Sequence, residues 1–398
     1  MKNIKTKYLR ILVQASIFLI LIIMITLYNL YINEIIDFKF LGIGDLNPYG
    51  GWNALREFAT DSSYVFEGIS NSMVLTIALV AIAILGGRFF CGWLCPIGAT
   101  QDFASWLGSK TNISKYNRLS NNGFNPLLLK YPVLLALLIL SILGYGAMIA
   151  ELSPWRALMN LPKITSAWSE MEIGFIILAG IFLASIFLSR FFCRYLCPLG
   201  AAQALFSSFS PLSLKHSKGC SQCNKCFNEC PVGIRLSPGS DTISPECIRC
   251  MNCVENCKVS KNNGIRLKIG NRNVSIIAYV ILMLVLFIII WIGVPKLWGV
   301  SPDNDNIVLG TLKDGTYQGE AKGFAGKIIT EINVTEGKIT NIKVVEHRES
   351  KGWYEEVFMI LPNEMIKKQR LYVDGISGAT KTSKGFIKSV ENAIKKAQ

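Results

Sequence analysis

Eight cysteines within residues 220–257 constrain this chain most strongly, because they repeat one spacing twice. The first run is C-x-x-C-x-x-C-x-x-x-C followed by Pro231, and the second lacks the proline. In bacterial iron–sulfur proteins three thiolates of such a run hold one cluster, and the fourth reaches across to the other cluster. We therefore predict two [4Fe–4S] clusters. The first ligand set is Cys220, Cys223, Cys226 and Cys257, and the second is Cys247, Cys250, Cys253 and Cys230.

Two other roles fit closely spaced cysteines less well. Zinc sites favour two separated ligand pairs, often with histidine, and the nearby His216 lies outside the spacing. Disulfide frameworks scatter their cysteines through small secreted domains, whereas all twelve cysteines of this chain fall into motifs.

Long apolar stretches indicate a membrane protein. Hydrophobic residues make up 51% of the 398 residues, and the mean hydropathy is +0.37. Five stretches approach the ~20 residues that span a bilayer, near residues 11–32, 71–89, 131–150, 172–190 and 274–293. His216 and His347 both lie outside them, which excludes a haem held by two histidines within the membrane.

The charge distribution predicts an orientation. Residues 33–70 hold two basic and six acidic residues, whereas residues 204–273 hold ten basic and four acidic residues. By the positive-inside rule the first segment lies outside and the second in the cytoplasm. Basic residues beside apolar stretches also account for the net charge of +14, which disfavours a nucleic-acid role. We expect a multi-pass protein of the cytoplasmic (inner) membrane, with a cytoplasmic N-terminus and an extracytoplasmic C-terminal domain.

The apolar part contains an internal repeat. Residues 88–101 and 190–203 match at ten of fourteen positions, and each copy contains R-F-F-C-x-x-L-C-P. A parallel repeat about an axis along the membrane normal is predicted. The i, i+4 spacing favours two sulfurs on one helix face, and the proline favours a helix end. The cysteines concerned are Cys91, Cys95, Cys193 and Cys197.

Three roles remain open for these four cysteines: a further cluster or metal site, a redox dithiol, or buried structural thiols. Arg88 and Arg190 begin the two copies. We expect them to extend towards lipid phosphate, with compensation of thiolate charge as the alternative.

The C-terminal part predicts a small α+β domain. Residues 327–345 alternate as a hairpin that turns at Glu336-Gly337, and helices are expected near 353–370 and 383–397. Between these helices lies D-G-I-S-G-A-T-K-T-S, residues 374–383. Its glycines before a helix N-terminus suit a phosphate, although ordinary helix capping by Thr380, Thr382 or Ser383 explains the pattern equally well.

Taken together, these motifs resemble two known families. The paired C-x-x-x-C-P motifs followed by two ferredoxin motifs resemble the NosR/NapH membrane iron–sulfur proteins over roughly residues 71–260. Residues 312–395 resemble the FMN-binding domain of NosR and of the RnfG/NqrC subunits, whose D-G-x-S-G-A-T pattern matches Asp374 to Thr380. That resemblance implies FMN joined through its phosphate to Thr380. The other implied FMN-binding residues are Asp374, Gly375, Ser377, Gly378, Ala379, Thr382 and Ser383. The flavin domain follows the clusters here but precedes the membrane part in NosR.

The resemblance implies a membrane electron carrier between cytoplasmic clusters and an extracytoplasmic flavin. Implied partners are a ferredoxin or flavodoxin donor (or membrane quinol, as in NapH), an external acceptor protein and a flavin transferase. The alternatives are a copper-handling assembly factor and a redox-sensing regulator. The catalytic residues are not predicted.

The predicted architecture is a multi-domain membrane protein with an α-helical bundle of about five spans. Residues 1–203 form four membrane helices with both repeats, and we call them the helical unit. Residues 204–272 form a ferredoxin-like domain with the two clusters, which we call the cluster module. Residues 273–294 form the fifth span, residues 295–311 a linker, and residues 312–398 the α+β flavin domain.

Overall fold

The computed structural model describes residues 6–32, 47–48, 71–111, 126–143, 149, 151–215, 223, 225–234, 244–257, 265–270, 272–297, 312–349, 354–369, 371 and 380–397. Several predicted features lie outside these residues. They are Cys220, most of the linker, and the loop positions Asp374, Gly375, Ser377, Gly378 and Ala379.

Uninterrupted apolar runs account for the long helices of the helical unit. The helices are α1 (Thr6–Ile32), α2 (Asn71–Gly86), α3 (Pro96–Lys110), α4 (Lys130–Ile142), α5 (Pro154–Met159), α6 (Ile164–Phe187), α7 (Phe191–Tyr195) and α8 (Pro198–Ser207). A π-helical turn covers Phe90–Leu94, and 3-10 turns cover Pro126–Leu129 and Leu161–Lys163. The long helix α11 (Ile276–Leu297) follows the cluster module.

These helices expose apolar rather than polar side chains. In α4 the buried residues are Lys130 and Ser141, whereas Leu135 and Ile142 are about 60% exposed. Residues 6–27 are long and apolar enough to cross a membrane. Three shorter apolar helices lie within α2, α6 and α11, and a fourth, Leu127–Ile142, combines α4 with most of the 3-10 turn before it. The five-span bundle stays a prediction.

The C-x-x-x-C-P motifs are not continuous helices. Cys91 lies in the π-helical turn and Cys193 in α7, whereas Cys95 and Cys197 have extended backbone and cap the helices that begin at Pro96 and Pro198. The helical turns that carry Cys91 and Cys193 end before the prolines, as predicted, but each proline also begins a new helix, where its missing N–H is not needed. The expectation that both sulfurs of a motif lie on one helix face is therefore wrong.

The cluster module is a short sheet with two single-turn helices. Strands β1 (Leu212–Lys215), β2 (Arg266–Ile269) and β3 (Arg272–Asn273) pair antiparallel in that order. Helices α9 (Lys225–Asn228) and α10 (Asn252–Glu255) contact each other and carry cysteines of the two runs. Buried Leu212, Leu214 and Leu267 join the module to the apolar core of the helical unit.

The flavin domain contains the predicted hairpin. Strands β4 (Gly315–Lys322), β5 (Lys327–Thr335) and β6 (Lys338–His347) form an antiparallel sheet in chain order. Helices α12 (Tyr354–Lys368) and α13 (Thr380–Ala397) bury their apolar sides against it, around Ile332, Leu361 and Phe386. Glu336 and Gly337 both have positive φ, as a tight hairpin turn requires. The hairpin and both helices are therefore confirmed, and β4 was not predicted.

Candidate iron–sulfur and flavin sites

Cys230 lies with cysteines of the second run, as crossed ligation requires. It packs together with Cys247 and Cys250 beside Val232 and Ile248. Burial, together with the neighbouring Cys250, raises the pKa of the Cys230 thiol to about 12. A thiolate in this position therefore needs positive charge beside it, which iron supplies when thiolates hold a cluster.

The loop that carries the second run adopts unusual backbone conformations. Arg249 and Met251 have positive φ, which side chains other than glycine adopt rarely and at functional sites. Trp93 donates from Nε1 to the carbonyl oxygen of Arg249 at 3.0 Å. A Cβ at Gly92 would overlap the carbonyl oxygen of Ile248. The loop is therefore packed directly on the first C-x-x-x-C motif.

The two C-x-x-x-C motifs contact each other through a reciprocal pair of glutamines. Gln101 of the first copy donates from Nε2 to the sulfur of Cys193 at 3.2 Å. Gln203 of the second copy accepts from the sulfur of Cys91 at 3.0 Å. Cys91, Cys95 and Cys193 are buried and Cys197 is half-buried. The two pairs of thiols thus lie at one interface between the copies.

The repeat arginines do not reach towards lipid. Arg88 and Arg190 are both buried, so the lipid-phosphate expectation is wrong. Arg190 donates from Nε and Nη2 to the Asp102 carboxylate at 2.8 and 2.6 Å. Although burial opposes it, Arg10 and Arg190 hold the pKa of the Asp102 carboxyl well below its usual range. Paired carboxylates therefore stabilise these buried cations, and water or lipid is not needed.

Buried donors around the cysteines suit negatively charged clusters. Arg88 Nε, Gln203 Nε2, and Nε and Nη1 of both Arg194 and Arg249 have no hydrogen-bond partner among the described residues. Backbone amides of Gly200 and Ile234 donate to the sulfurs of Cys197 and Cys230 at 3.3 and 3.4 Å. Because a cluster held by four thiolates is anionic, such donors fit it. No three histidine, cysteine or carboxylate side chains in the described parts converge on a site for a single metal ion.

A buried glutamate organises the candidate flavin site. Glu349 accepts from the amides of Ala325 and Gly326 at 3.0 and 3.3 Å, and from the hydroxyl of Thr382. Thr380 is the first residue of α13. Glu349 therefore ties the turn before β5 to the first turn of α13. Thr382 and Ser383, both predicted as flavin-binding, are buried.

Similarity to known proteins agrees with both sites. The FMN-binding domain family matches residues 323–395. A 4Fe-4S binding domain family matches residues 71–114 and 172–215, which contain the two C-x-x-x-C-P motifs. The FMN-binding match was expected from the motifs. The 4Fe-4S match falls on the repeats, where a further cluster was one of three open roles, rather than on residues 220–257.

Curated relatives match about half of the chain. YccM of Escherichia coli K12 is 31% identical over 196 residues, covering 48% of this chain and 54% of YccM. The uncharacterized protein MJ0750 of Methanocaldococcus jannaschii is 30% identical over 204 residues, covering 50% of this chain and 82% of MJ0750. The regulatory protein NosR of Stutzerimonas stutzeri is 31% identical over 185 residues, covering 45% of this chain and 25% of NosR.

The chain belongs to the NosR/NapH family of iron–sulfur proteins. This NosR/NapH member carries 4Fe–4S binding domains and a C-terminal FMN-binding domain. It spans about half the length of YccM and a quarter of NosR, so the activity of those whole proteins does not transfer directly.

Two acidic residues of the candidate sites were not predicted from the sequence. Glu246 and Glu349 are isolated in the sequence, and only the fold brings them to Arg88 and Thr382. Gln101 and Gln203 carried a usable signal, because both copies of the repeat retain glutamine at this position.

Proposed function

We propose that this protein carries electrons across a membrane, between iron–sulfur clusters on the cytoplasmic side and FMN bound covalently at Thr380 on the outer side. The single observation that supports it best is the packing of Cys91 in one apolar group with Cys230, Cys247 and Cys250. Ligands of the second cluster thus contact the repeat that holds the four further cysteines. When bound, the clusters supply one-electron transfer and the flavin supplies an acceptor.

The protein's own residues supply position and charge. Gln101 and Gln203 hold the cysteines of the opposite copy, and unpaired donors of Arg194 and Arg249 are buried near the cysteine loops. Burial excludes water from the path, which strengthens each of these electrostatic interactions. The proposed ligand sets are those predicted from the spacing, with Cys91, Cys95, Cys193 and Cys197 as one further redox site.

The surfaces of the helical unit and of α11 support the membrane location. Exposed apolar side chains such as Leu19, Leu143, Ile173 and Ile289 occur on α1, at the end of α4, on α6 and on α11. Soluble proteins rarely expose apolar area on this scale. We propose five spans, with the cluster module in the cytoplasm. Proposed partners are a ferredoxin or flavodoxin donor, or membrane quinol, together with an external acceptor protein and a flavin transferase.

The electron-transfer step is tested with full-length protein in sealed proteoliposomes. A reduced ferredoxin, which cannot cross the membrane, is added outside, and loss of the yellow flavin absorbance inside is followed. In wild-type protein with its clusters outward the flavin absorbance should bleach, since two one-electron transfers reduce one flavin, which takes up its protons from the vesicle lumen. Cys193→Ser should stop bleaching while residues 220–257 keep about eight iron atoms.

Gly180→Ala is the control, because its Cβ would meet nothing within 4 Å; it should bleach normally. Normal bleaching in Cys91→Ser, Cys95→Ser, Cys193→Ser and Cys197→Ser alike would show that the four cysteines are structural. Absence of bleaching in the wild type, with flavin and iron present, would contradict transmembrane electron transfer.

A further inference from the structure

The two copies of the repeat differ in charge at one position. Gln101 and Gln203 correspond, so Asp102 of the first copy corresponds to Ala204 of the second. Asp102 binds Arg190, so the acid of the first copy neutralises the arginine of the second. The reciprocal acid for Arg88 is absent, because Ala204 is buried at the position where it would stand.

Glu246 of the cluster module supplies this missing carboxylate. Arg88 donates from Nη1 to Oε2 of Glu246 at 2.8 Å and to its carbonyl oxygen at 3.0 Å. Tyr131 donates its hydroxyl to Oε1 at 2.7 Å, and the ammonium group of Lys130 also binds Oε2. Arg88 and Lys130 are essentially inaccessible to solvent. One carboxylate therefore holds three side chains from two separate helical segments.

The position of Glu246 makes this contact consequential. It directly precedes Cys247, a proposed ligand of the second cluster. On the other side, Nη2 of Arg88 lies 4.0 Å from the sulfur of Cys91. The path from Cys247 through Glu246 and Arg88 to Cys91 is thus continuous; Cys247 is half-buried, and the other three residues are buried.

We propose that Glu246 is a positioning residue: its carboxylate docks the cluster module on the helical unit and fixes the distance between the second cluster and the C-x-x-x-C cysteines. This rests on the proposed electron-transfer function. Without the carboxylate, the buried cations Arg88 and Lys130 lose their partner. Separation of the module then becomes more favourable, because it lets water solvate these two charges. Arg88 of the first repeat therefore has a carboxylate partner only when the cluster module is docked on the helical unit.

The test is hydrogen–deuterium exchange on the full-length, cluster-loaded protein, which reports docking and not electron flow. Glu246→Gln should raise the exchange rate of residues 244–257 about tenfold or more, leave residues 312–349 unchanged and retain iron. Glu255→Gln is the matched control: Glu255 lies two residues before the cluster cysteine Cys257 and accepts from the Lys7 amide at 2.9 Å in a solvent-exposed hydrogen bond. In the Glu255→Gln variant, residues 244–257 should exchange at the wild-type rate.

A second variant separates docking from simple charge compensation. Glu246→Gln combined with Ala204→Asp returns a carboxylate to the position equivalent to Asp102, within the helical unit. Docking by Glu246 predicts that residues 244–257 stay loosened. Wild-type exchange in this double variant, or in Glu246→Gln alone, would overturn the proposal.

Should Glu246→Gln fail to assemble, Tyr131→Phe decides the matter, because it removes one hydrogen bond and no charge. Raised exchange at residues 244–257 with iron retained supports docking, and wild-type exchange overturns it. Because exchange needs no electron donor, a failure of flavin bleaching in the wild type would contradict the proposed function and leave this result unaffected.

Discussion

At the scale of single residues, Gly92 shows how closely two parts of the protein approach. The carbonyl oxygen of Ile248 lies where a Cβ of residue 92 would stand. The second copy of the repeat has Arg194 at the equivalent position, and its guanidinium lies against Gly233, three residues after the last cysteine of the first run. At this one position the two copies thus contact different segments of the cluster module, and the difference between glycine and arginine reflects these two contacts.

Gly92→Ala should displace the loop that carries Cys247 and Cys250. Because backbone rather than a flexible side chain blocks the added methyl group, we expect a loss of about 1–3 kcal/mol in stability. A thermal melt followed by cluster absorbance measures it. Gly180→Ala adds the same methyl group in open space and should be neutral or slightly stabilising, by up to about 1 kcal/mol. Equal melting temperatures for the two variants would show that Gly92 is not in contact with the loop.

Crossed ligation makes a second residue-scale prediction. Cys230→Ser should remove the same electron paramagnetic resonance signal as Cys250→Ser, because both cysteines pack in one group. Cys223→Ser, at an exposed position, should remove the other signal. If Cys230→Ser and Cys223→Ser eliminate the same signal, each cluster is held by its own run and the crossing is wrong.

The roles proposed for Thr380 and Thr382 can be distinguished by mutation, although the two residues are close in the sequence. Thr380→Val should abolish flavin fluorescence on a denaturing gel, since valine keeps the volume and removes the hydroxyl. Thr382→Val should keep the fluorescence, because the Thr382 hydroxyl already donates to Glu349, and should cost about 1–3 kcal/mol of domain stability. Fluorescence that persists in Thr380→Val would move the attachment to Thr382 or Ser383.

At the scale of elements, the flavin domain shows what a sequence pattern reveals. The hairpin was predictable because β5 buries alternate residues, including Ile328, Ile332 and Val334. Strand β4 gave no such signal, since the one residue it buries is Gly319, which packs against backbone of α13 at Ser389 and Ala393. A strand that packs through a glycine has no apolar alternation to detect.

Helix α13 should determine the stability of this domain. Phe386 is fully buried beneath the sheet, in contact with Phe358 of α12. Phe386→Ala should lower the free energy of unfolding by about 3–5 kcal/mol. Val345→Ala, on the half-exposed outer side of β6, should change it by no more than about 0.5 kcal/mol. Urea unfolding followed by flavin fluorescence compares them, and equal midpoints would contradict the packing of α13.

The C-x-x-x-C-P motif shows where a local pattern is ambiguous. Proline ends one helix and begins another equally well, so its position alone could not reveal that Cys95 and Cys197 cap new helices. The burial of Arg88 and Arg190 was unpredictable for a similar reason. Their partners Glu246 and Asp102 lie 158 and 88 residues away in the chain.

At the scale of the whole molecule, the predicted orientation can be tested by labelling. Ser109 at the end of α3 and Lys343 on β6 are both exposed. In intact cells a maleimide that cannot cross membranes should label Lys343→Cys, whereas Ser109→Cys should react only after permeabilisation. The reverse pattern would invert the topology and place the flavin domain in the cytoplasm.

The packing of the cysteine loop on the first repeat also limits how the protein can mature. Cys91, Cys95, Cys193 and Cys250 are all buried once the loop is seated, so an iron donor protein has no access to them in the finished fold. If these cysteines hold clusters as proposed, we expect iron to be delivered while the cluster module is still separate, before the loop packs on the repeat. Cells short of iron should accumulate an open, protease-sensitive form of residues 244–257.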